Sequence, residues 1–129
     1  LVHDGHLLLT RRAHAPAAGT LDLPGGFVDP HETLEQALVR ELGEELGLRL
    51  DAGVPRYLFS LPNLYPYAEV TYATSDSFFA IELSTRPAVT AQDDVSAIEW
   101  LPFAAIDVQA IGLGSARLAV ARFLAGVLG

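Results

Sequence analysis

The sequence predicts one α/β domain in which helices pack on a mixed β-sheet. Three observations carry that expectation: β-branched and aromatic runs separated by turn residues, one amphipathic stretch with both ends marked, and an Ala/Leu/Val-rich C-terminal segment long enough for a second helix. At 129 residues the chain has the length of a single domain covering 1–129, able to bury about two thirds of the surface that its unfolded form exposes.

The elements follow in order. "LVHDGHLLLTRR" gives two short apolar runs about His3-Asp4-Gly5-His6, and Asp-Gly between such runs is a tight-turn signal between strands. Because the chain opens on an apolar run and contains no methionine, the reading expects the first strand to begin upstream of Leu1 and the natural start to be missing. "AHAPAAGTLD" is a turn-rich loop, and "LPGGFV" a strand end giving way to glycines that can take unusual backbone angles or let another group come close. Thr33 followed by Gln36 has the form of a capping box, and Gly47 is a natural stop, which predicts a helix over Leu34 to Leu46. "RYLFSLPN", "AEVTYAT" and "SFFAIEL" then read as three strands broken by proline, asparagine and serine, with Phe78 and Phe79 in the core. After the loop "STRPAVTAQDD", "VSAIEWL" is another strand. The remainder predicts a short helix and a longer one from about Ser115, packed on the sheet in preference to a membrane surface.

Composition excludes several function classes. No stretch approaches the roughly 18 uninterrupted apolar residues of a membrane span, and the N-terminus lacks the form of a secretory signal, so no membrane partner is expected. With no cysteine there is no disulfide framework, thiolate metal site or cysteine nucleophile, which fits a reducing, cytoplasmic setting. Eight Lys and Arg against 16 Asp and Glu give a net charge of −8, which offers no basic surface for large nucleic acids. A small anionic ligand stays open if something other than net charge holds it.

The helix carries the unusual chemistry. At about 100° per residue, Leu38, Val39, Leu42 and Leu46 fall on one stripe while Glu41, Glu44 and Glu45 cover an adjacent arc. A solvated acidic face would want basic partners on that arc, and Arg40 alone is available, to Glu44 at i,i+4. The cluster also sits near the helix C-terminus, where the macrodipole disfavours anions. A divalent cation would resolve both objections, since hard oxygen ligands at these spacings can converge on Mg²⁺ and leave the rest of its shell to phosphate oxygens; on spacing alone a plain acidic helix face is the equal alternative.

From Gly26 the chain reads G, five residues, Glu32, seven residues, then Arg40-Glu41-Leu42-Gly43-Glu44-Glu45-Leu46-Gly47-Leu48. This resembles the Nudix box, G-x5-E-x7-R-E-U-x-E-E-x-G-U with U a bulky aliphatic, at every defined position. The preceding "LPGG" and the later "DDVSAIEWLPF" are also similar to that family. The resemblance implies a Nudix-type α/β/α sandwich with a mixed β-sheet between helices. It implies a divalent-metal-dependent pyrophosphohydrolase that cleaves a diphosphate linkage in a nucleoside diphosphate derivative: ADP-ribose, a dinucleotide, a nucleotide sugar or an NTP.

Carried over residue by residue, the resemblance implies Mg²⁺ or Mn²⁺ as cofactor on Glu41, Glu44 and Glu45, with Glu41 and Glu45 nearest the ion and a carbonyl at Gly25 or Gly26 completing the site. It implies Arg40 as the residue orienting a catalytic glutamate, Glu32 as a support for the loop, and Glu41 as one candidate base among several, with Glu44 in the same catalytic group. Asp94 stands where relatives place a further acidic ligand or base, with Asp93 beside it, and a solvated loop carboxylate is the plain alternative. Arg11 and Arg12 could reach a phosphate or simply solvate a strand end. Tyr65 and Tyr67, in a Pro/Asn-rich connection, are placed to stack on a nucleobase if that connection lines the cleft. A homodimer is open by analogy with the family. The alternative function is a catalytically silent Nudix-type module that binds a nucleotide and regulates a partner; such modules can lose box carboxylates, and this chain has kept them all.

Overall fold

A computed structural model describes residues 1–50 and 54–128. The central strand is β2 (His6–Arg12), which pairs antiparallel along its whole length with β6 (Val95–Pro102). Its other edge is shared by two short strands, β1 (Val2–His3) at one end and β3 (Leu21–Asp22) at the other: Leu7 pairs with both Val2 and Leu101, and Arg11 with both Leu21 and Ala97. Single parallel bridges, Val2 to Glu82 and Leu21 to Ile111, make the sheet mixed. The β1–β2 turn is Asp4-Gly5, both with positive φ, the geometry that matches the twist of a two-residue hairpin.

Alternation along β2 assigns the two faces of the sheet. Leu7 and Leu9 enter one apolar layer with Leu21, Ile111, Ala116, Val120 and Leu124, under helix α2 (Gly114–Leu128). Leu8 enters the other with Leu1, Leu42, Leu46, Leu48 and Ile81, under helix α1 (Leu34–Leu46). The result is the expected sandwich of helix, mixed sheet and helix. In place of the expected short helix before α2 there are two single-turn 3₁₀ segments, Phe103–Ala105 and Val108–Ala110. Helix α2 packs on the sheet, with the Arg122 guanidinium 4.8 Å from the Phe59 ring centroid, and no helix among the described residues is long and apolar enough to cross a membrane.

Helix α1 has the bounds that its end signals predict. Thr33 accepts from the Gln36 N–H while the Gln36 side chain accepts from the Thr33 N–H, and Gly47 closes the helix in the left-handed region at φ 64°. Its buried side differs in one position from the predicted stripe. Leu42 and Leu46 are fully buried, but Val39 is exposed and Ala37 is buried instead, because the sheet meets the helix on the Ala37 side of the Leu38–Leu42–Leu46 line.

The middle of the chain departs most from expectation. Two long strands, β4 (Arg56–Tyr67) and β5 (Val70–Ala80), form one hairpin where three shorter strands were predicted. Its turn is Ala68-Glu69, both with positive φ. Strand β4 runs through Pro62 and Pro66 because each prolyl nitrogen falls where no donor is wanted. Counting back from the turn pair Tyr67–Val70, both prolines occupy non-hydrogen-bonded pairs, so their nitrogens lie on the hairpin's free outer edge. Tyr65 and Tyr67 thus belong to a strand and not to a connection. Phe78 and Phe79 are half-buried, packed on Phe59 and Tyr57.

Urea denaturation should separate the local from the tertiary determinants of α1. Removing the capping oxygen with Thr33→Ala should cost about 1 kcal/mol, and emptying the core with Leu46→Ala about 2–5 kcal/mol. A larger loss in Thr33→Ala than in Leu46→Ala would place the helix's stability in its end signals instead of its packing.

Candidate active site

The site forms where α1 passes the loop after β3. The buried Leu42 and Leu46 fix the rotation of the helix, and that rotation presents Glu41 and Glu45 to Gly25 and Gly26. Glu45 is buried, and its Oε1 accepts from the Gly25 N–H at 2.7 Å. Glu41 lies so close to Gly26 that a Cβ there would stand 2.5 Å from its Oε1 and 2.6 Å from its Cδ, so any larger residue would displace the carboxylate. The third box carboxylate behaves differently: Glu44 is half exposed and turned toward Arg40, Oε2 at 3.2 Å from Nη1.

Arg40 holds the assembly. Its Nε and Nη2 donate to the two oxygens of Glu32 at 2.8 and 3.0 Å, a bidentate pairing that lysine could not reproduce. Nη1 donates to Glu41 Oε1 at 2.9 Å, and Nη2 also to the Phe27 carbonyl at 2.9 Å. Glu32 in turn accepts from the Asp29 N–H at 2.9 Å, so the loop from Phe27 to Glu32 is folded around one guanidinium.

Asp93 and Asp94 reach the site through the backbone. The Thr90 and Gln92 N–H groups donate to the Leu46 and Glu45 carbonyls at 2.9 Å each, satisfying the end of α1 and drawing the loop alongside. The charge of Asp93 then acts on Glu41 and that of Asp94 on Glu45. Asp94 itself is exposed, 3.7 Å from His14 Nε2.

A further carboxylate, Asp22, escaped sequence reasoning. It lies on β3 and is largely buried, accepting from Arg12 Nη1 at 2.8 Å and from the Leu23 N–H at 2.7 Å. Its signal was an acidic residue alternating between Leu21 and Leu23, which is weak in a two-residue strand. Phe27 and Tyr72 were also missed: Phe27 packs edge-on against Tyr65, Tyr67 and Tyr72 at 5.5, 6.2 and 6.1 Å between centroids.

Both arginines proposed for phosphate have partners within the protein. Arg11 pairs with Glu99 at 2.7 Å and donates to the Gly19 carbonyl; Arg12 is bound by Asp22, by the Pro16 carbonyl and by the Tyr65 hydroxyl at 3.1 Å. Arg12 thereby joins the aromatic group to the acidic one.

The electrostatics are those of crowded, partly dehydrated anions. Burial raises the Glu45 carboxyl from the ordinary 4.5 to about 8, and the charges of Glu41, Asp22 and Asp94 add to the rise, against the Gly25 N–H. Burial raises Glu41 too, opposed by Arg40, and raises Asp22, opposed by Arg12. Among the described residues no three side chains converge as a ready-made metal cage. In kind, however, the donors suit a hard divalent cation: they are all oxygens, close enough to repel, and partly stripped of the water that would otherwise stabilise them.

A sandwich of this topology with such a loop and helix defines a family, and comparison with known proteins agrees. The NUDIX domain model matches residues 1–122, and the chain belongs to the Nudix family. It is similar to the ADP-ribose pyrophosphatase of Methanocaldococcus jannaschii, 51% identical over 45 residues covering 35% of this chain and 27% of that protein. The curated relatives it matches are spanned over 27% to 55% of their lengths. Among solved structures it resembles a MutT NUDIX hydrolase from Burkholderia pseudomallei, with TM-score 0.72, 26% identity and coverage of 94% and 90% of the two chains. It also resembles the NUDIX domain of Shewanella oneidensis NrtR complexed with ADP ribose, with TM-score 0.68, 28% identity and coverage of 96% and 78%.

Glu45 has a measurable signature. Between pH 4.5 and about 8 the native protein holds a proton on Glu45 that the unfolded chain has released, so this group's contribution to stability is fullest at the acid end and is lost as pH rises. With divalent cations chelated, the melting temperature of Glu45→Gln should gain on that of the wild type from about pH 5 to about pH 8. A difference independent of pH would mean that Glu45 is not the raised carboxyl.

Proposed function

We propose that this protein is a divalent-metal-dependent Nudix pyrophosphohydrolase that cleaves a diphosphate linkage in a nucleoside diphosphate derivative of the ADP-ribose, dinucleotide, nucleotide-sugar or NTP type. The observation that carries the reading is the convergence of Glu41 and Glu45 on Gly25-Gly26, with Arg40 holding Glu41. Similarity to an ADP-ribose pyrophosphatase and to a domain complexed with ADP ribose supports this substrate class. A reducing, cytoplasmic setting belongs to the same reading, in keeping with a sequence without cysteine.

Glu41 and Glu45, with Glu44 at the margin, the Gly26 carbonyl and Asp94, are the groups that would hold Mg²⁺ or Mn²⁺. The bound cation supplies neutralisation of phosphate charge and a lowered pKa for coordinated water. The remaining work falls to the chain. A water oxygen bonds to one phosphorus of X–P–O–P–Y as the bridging P–O bond breaks, and the departing phosphate takes the electron pair of that bond. Glu41 is the proposed base for the proton of that water: burial raises its affinity for a proton while Arg40 keeps its Oε1 in place. Arg40, committed to carboxylates and to the Phe27 carbonyl, positions Glu41 without touching the linkage. Tyr65 and Tyr67, stacked with centroids 6.4 Å apart, offer ring faces to a base, and Arg12 fixes Tyr65 from its hydroxyl end. Arg11 is the proposed contact for an outer phosphate, a reading supported by its greater exposure than Arg12, although it is paired with Glu99 here. A full set of box carboxylates favours turnover over silent nucleotide binding.

Two variants test the assignment on a panel of ADP-ribose, dinucleotides, nucleotide sugars and triphosphates, with release of nucleoside monophosphate followed in Mg²⁺ and Mn²⁺. Glu45→Gln should lower kcat about 100-fold or more with the fold intact, and unchanged turnover would remove Glu45 from the site. Gly26→Ala should leave the melting temperature within a few degrees, because the flexible end of Glu41 can swing aside, yet reduce kcat by a similar factor. Wild-type protein that cleaves nothing on the panel with either metal would overturn the proposed activity.

A further inference from the structure

The inner face of the β4–β5 hairpin has a composition that the diphosphate chemistry leaves unexplained. Register pairs Tyr67 with Val70, Tyr65 with Tyr72, Asn63 with Thr74 and Leu61 with Asp76, and alternation turns these side chains to one face. The face therefore grades from rings near the turn to amide, hydroxyl and carboxylate nearer the core. Phe27 closes the ring end and is 49% exposed, with Tyr72 43% exposed, so this aromatic group faces solvent beside the glycine pair.

The polar groups on this face are nearly all engaged. Asp76 accepts from the Ser115 hydroxyl at 2.5 Å, the Thr74 hydroxyl donates to the Asn63 main-chain carbonyl at 3.4 Å, and Arg12 and Asp22 hold each other at 2.8 Å. The Asn63 carboxamide is the exception, with no hydrogen bond among the described residues. It is half-buried, its Oδ1 4.0 Å from where a Cβ on Gly114 would stand. An amide places donors and an acceptor side by side, the combination that complements the edge of a purine or pyrimidine. A lipid diphosphate would leave the amide unpaired, and a base-free polyphosphate would want cations, whereas Arg12, the arginine at this face, is already neutralised.

We infer that Asn63 determines base specificity: the substrate's heteroaromatic ring packs against Phe27, Tyr65 and Tyr72, and the Asn63 carboxamide reads its hydrogen-bonding edge. The inference deepens the proposed function and rests on it for the diphosphate, but the ring site itself needs neither metal nor turnover. It names a nucleoside as the recognised half of the substrate and leaves the other half to the carboxylate site.

Calorimetric titration of AMP, GMP, CMP and UMP into the protein in EDTA isolates the ring site, because monophosphates carry the base without the scissile linkage. Wild type should bind one base at least about tenfold more tightly than the weakest, the scale of discrimination that an edge-reading amide provides. Asn63→Ala should compress that spread to within about threefold, Asn63→Asp should change the order of preference by replacing a donor with an acceptor, and Tyr72→Ala should weaken all four together by about tenfold. Equal affinities in the wild type, no binding at millimolar concentration, or a uniform loss across bases in Asn63→Ala would overturn the inference. Base discrimination without cleavage on the substrate panel would sink the hydrolase reading alone, and cleavage without base discrimination would sink this one alone.

Discussion

Everything in the site depends on gathering carboxylates in a place with little water, and the pairing of Arg40 with Glu32 and Glu41 makes that tolerable. A buried anion without a partner would take up a proton or drive the loop away. Here one guanidinium offsets the charge of several carboxylates and, through the Phe27 carbonyl, fixes the backbone that carries the first ring of the aromatic face. The glycine pair is the counterpart of that constraint. A side chain at Gly26 would occupy the space of the Glu41 carboxylate, so the loop and that carboxylate can meet in this arrangement only with glycine there.

The sheet supplies the reference frame. Because β2 places Leu8 under α1 and Leu7 and Leu9 under α2, the rotation of each helix is set by packing on opposite faces of the same strand. Helix α1 then presents Glu41 and Glu45 to the loop after β3, while α2 begins beside the hairpin, with Ser115 on Asp76. A second charge pair, Arg12 with Asp22, ties the strand ends to Tyr65 and so connects the acidic group to the ring group. The two halves of the site are thus joined twice, by these side-chain bonds and by the chain itself, which runs from Gly26 directly into Phe27.

What could be read from the sequence follows the range of the determining interactions. Helix α1 was legible to the residue, because a capping box and a left-handed glycine act within a few positions. The glutamate cluster was legible because its spacing is specific and its charge is anomalous for a helix surface. The Val39 position was misjudged because helical periodicity gives the angle of a stripe but not the line along which a sheet will meet it. Asp22 and Phe27 gained meaning only from partners far along the chain, Arg12, Tyr65 and Tyr72, and no local pattern records such pairings. The prolines of β4 misled for a related reason: they signal a break unless the phase of the ladder is known, and that phase is set by a turn at Ala68-Glu69 with neither glycine nor asparagine.

Those prolines have a bearing on solubility. A two-stranded hairpin bearing exposed Tyr57 and Leu64 presents bare strand edges that a second copy could extend by adding a strand. Pro62 and Pro66 delete donors from the outer edge of β4 at two places, so an incoming strand could not build a continuous ladder there. The residues that interrupt the sequence pattern of a strand thus also interrupt the ladder that a second strand would need along that edge.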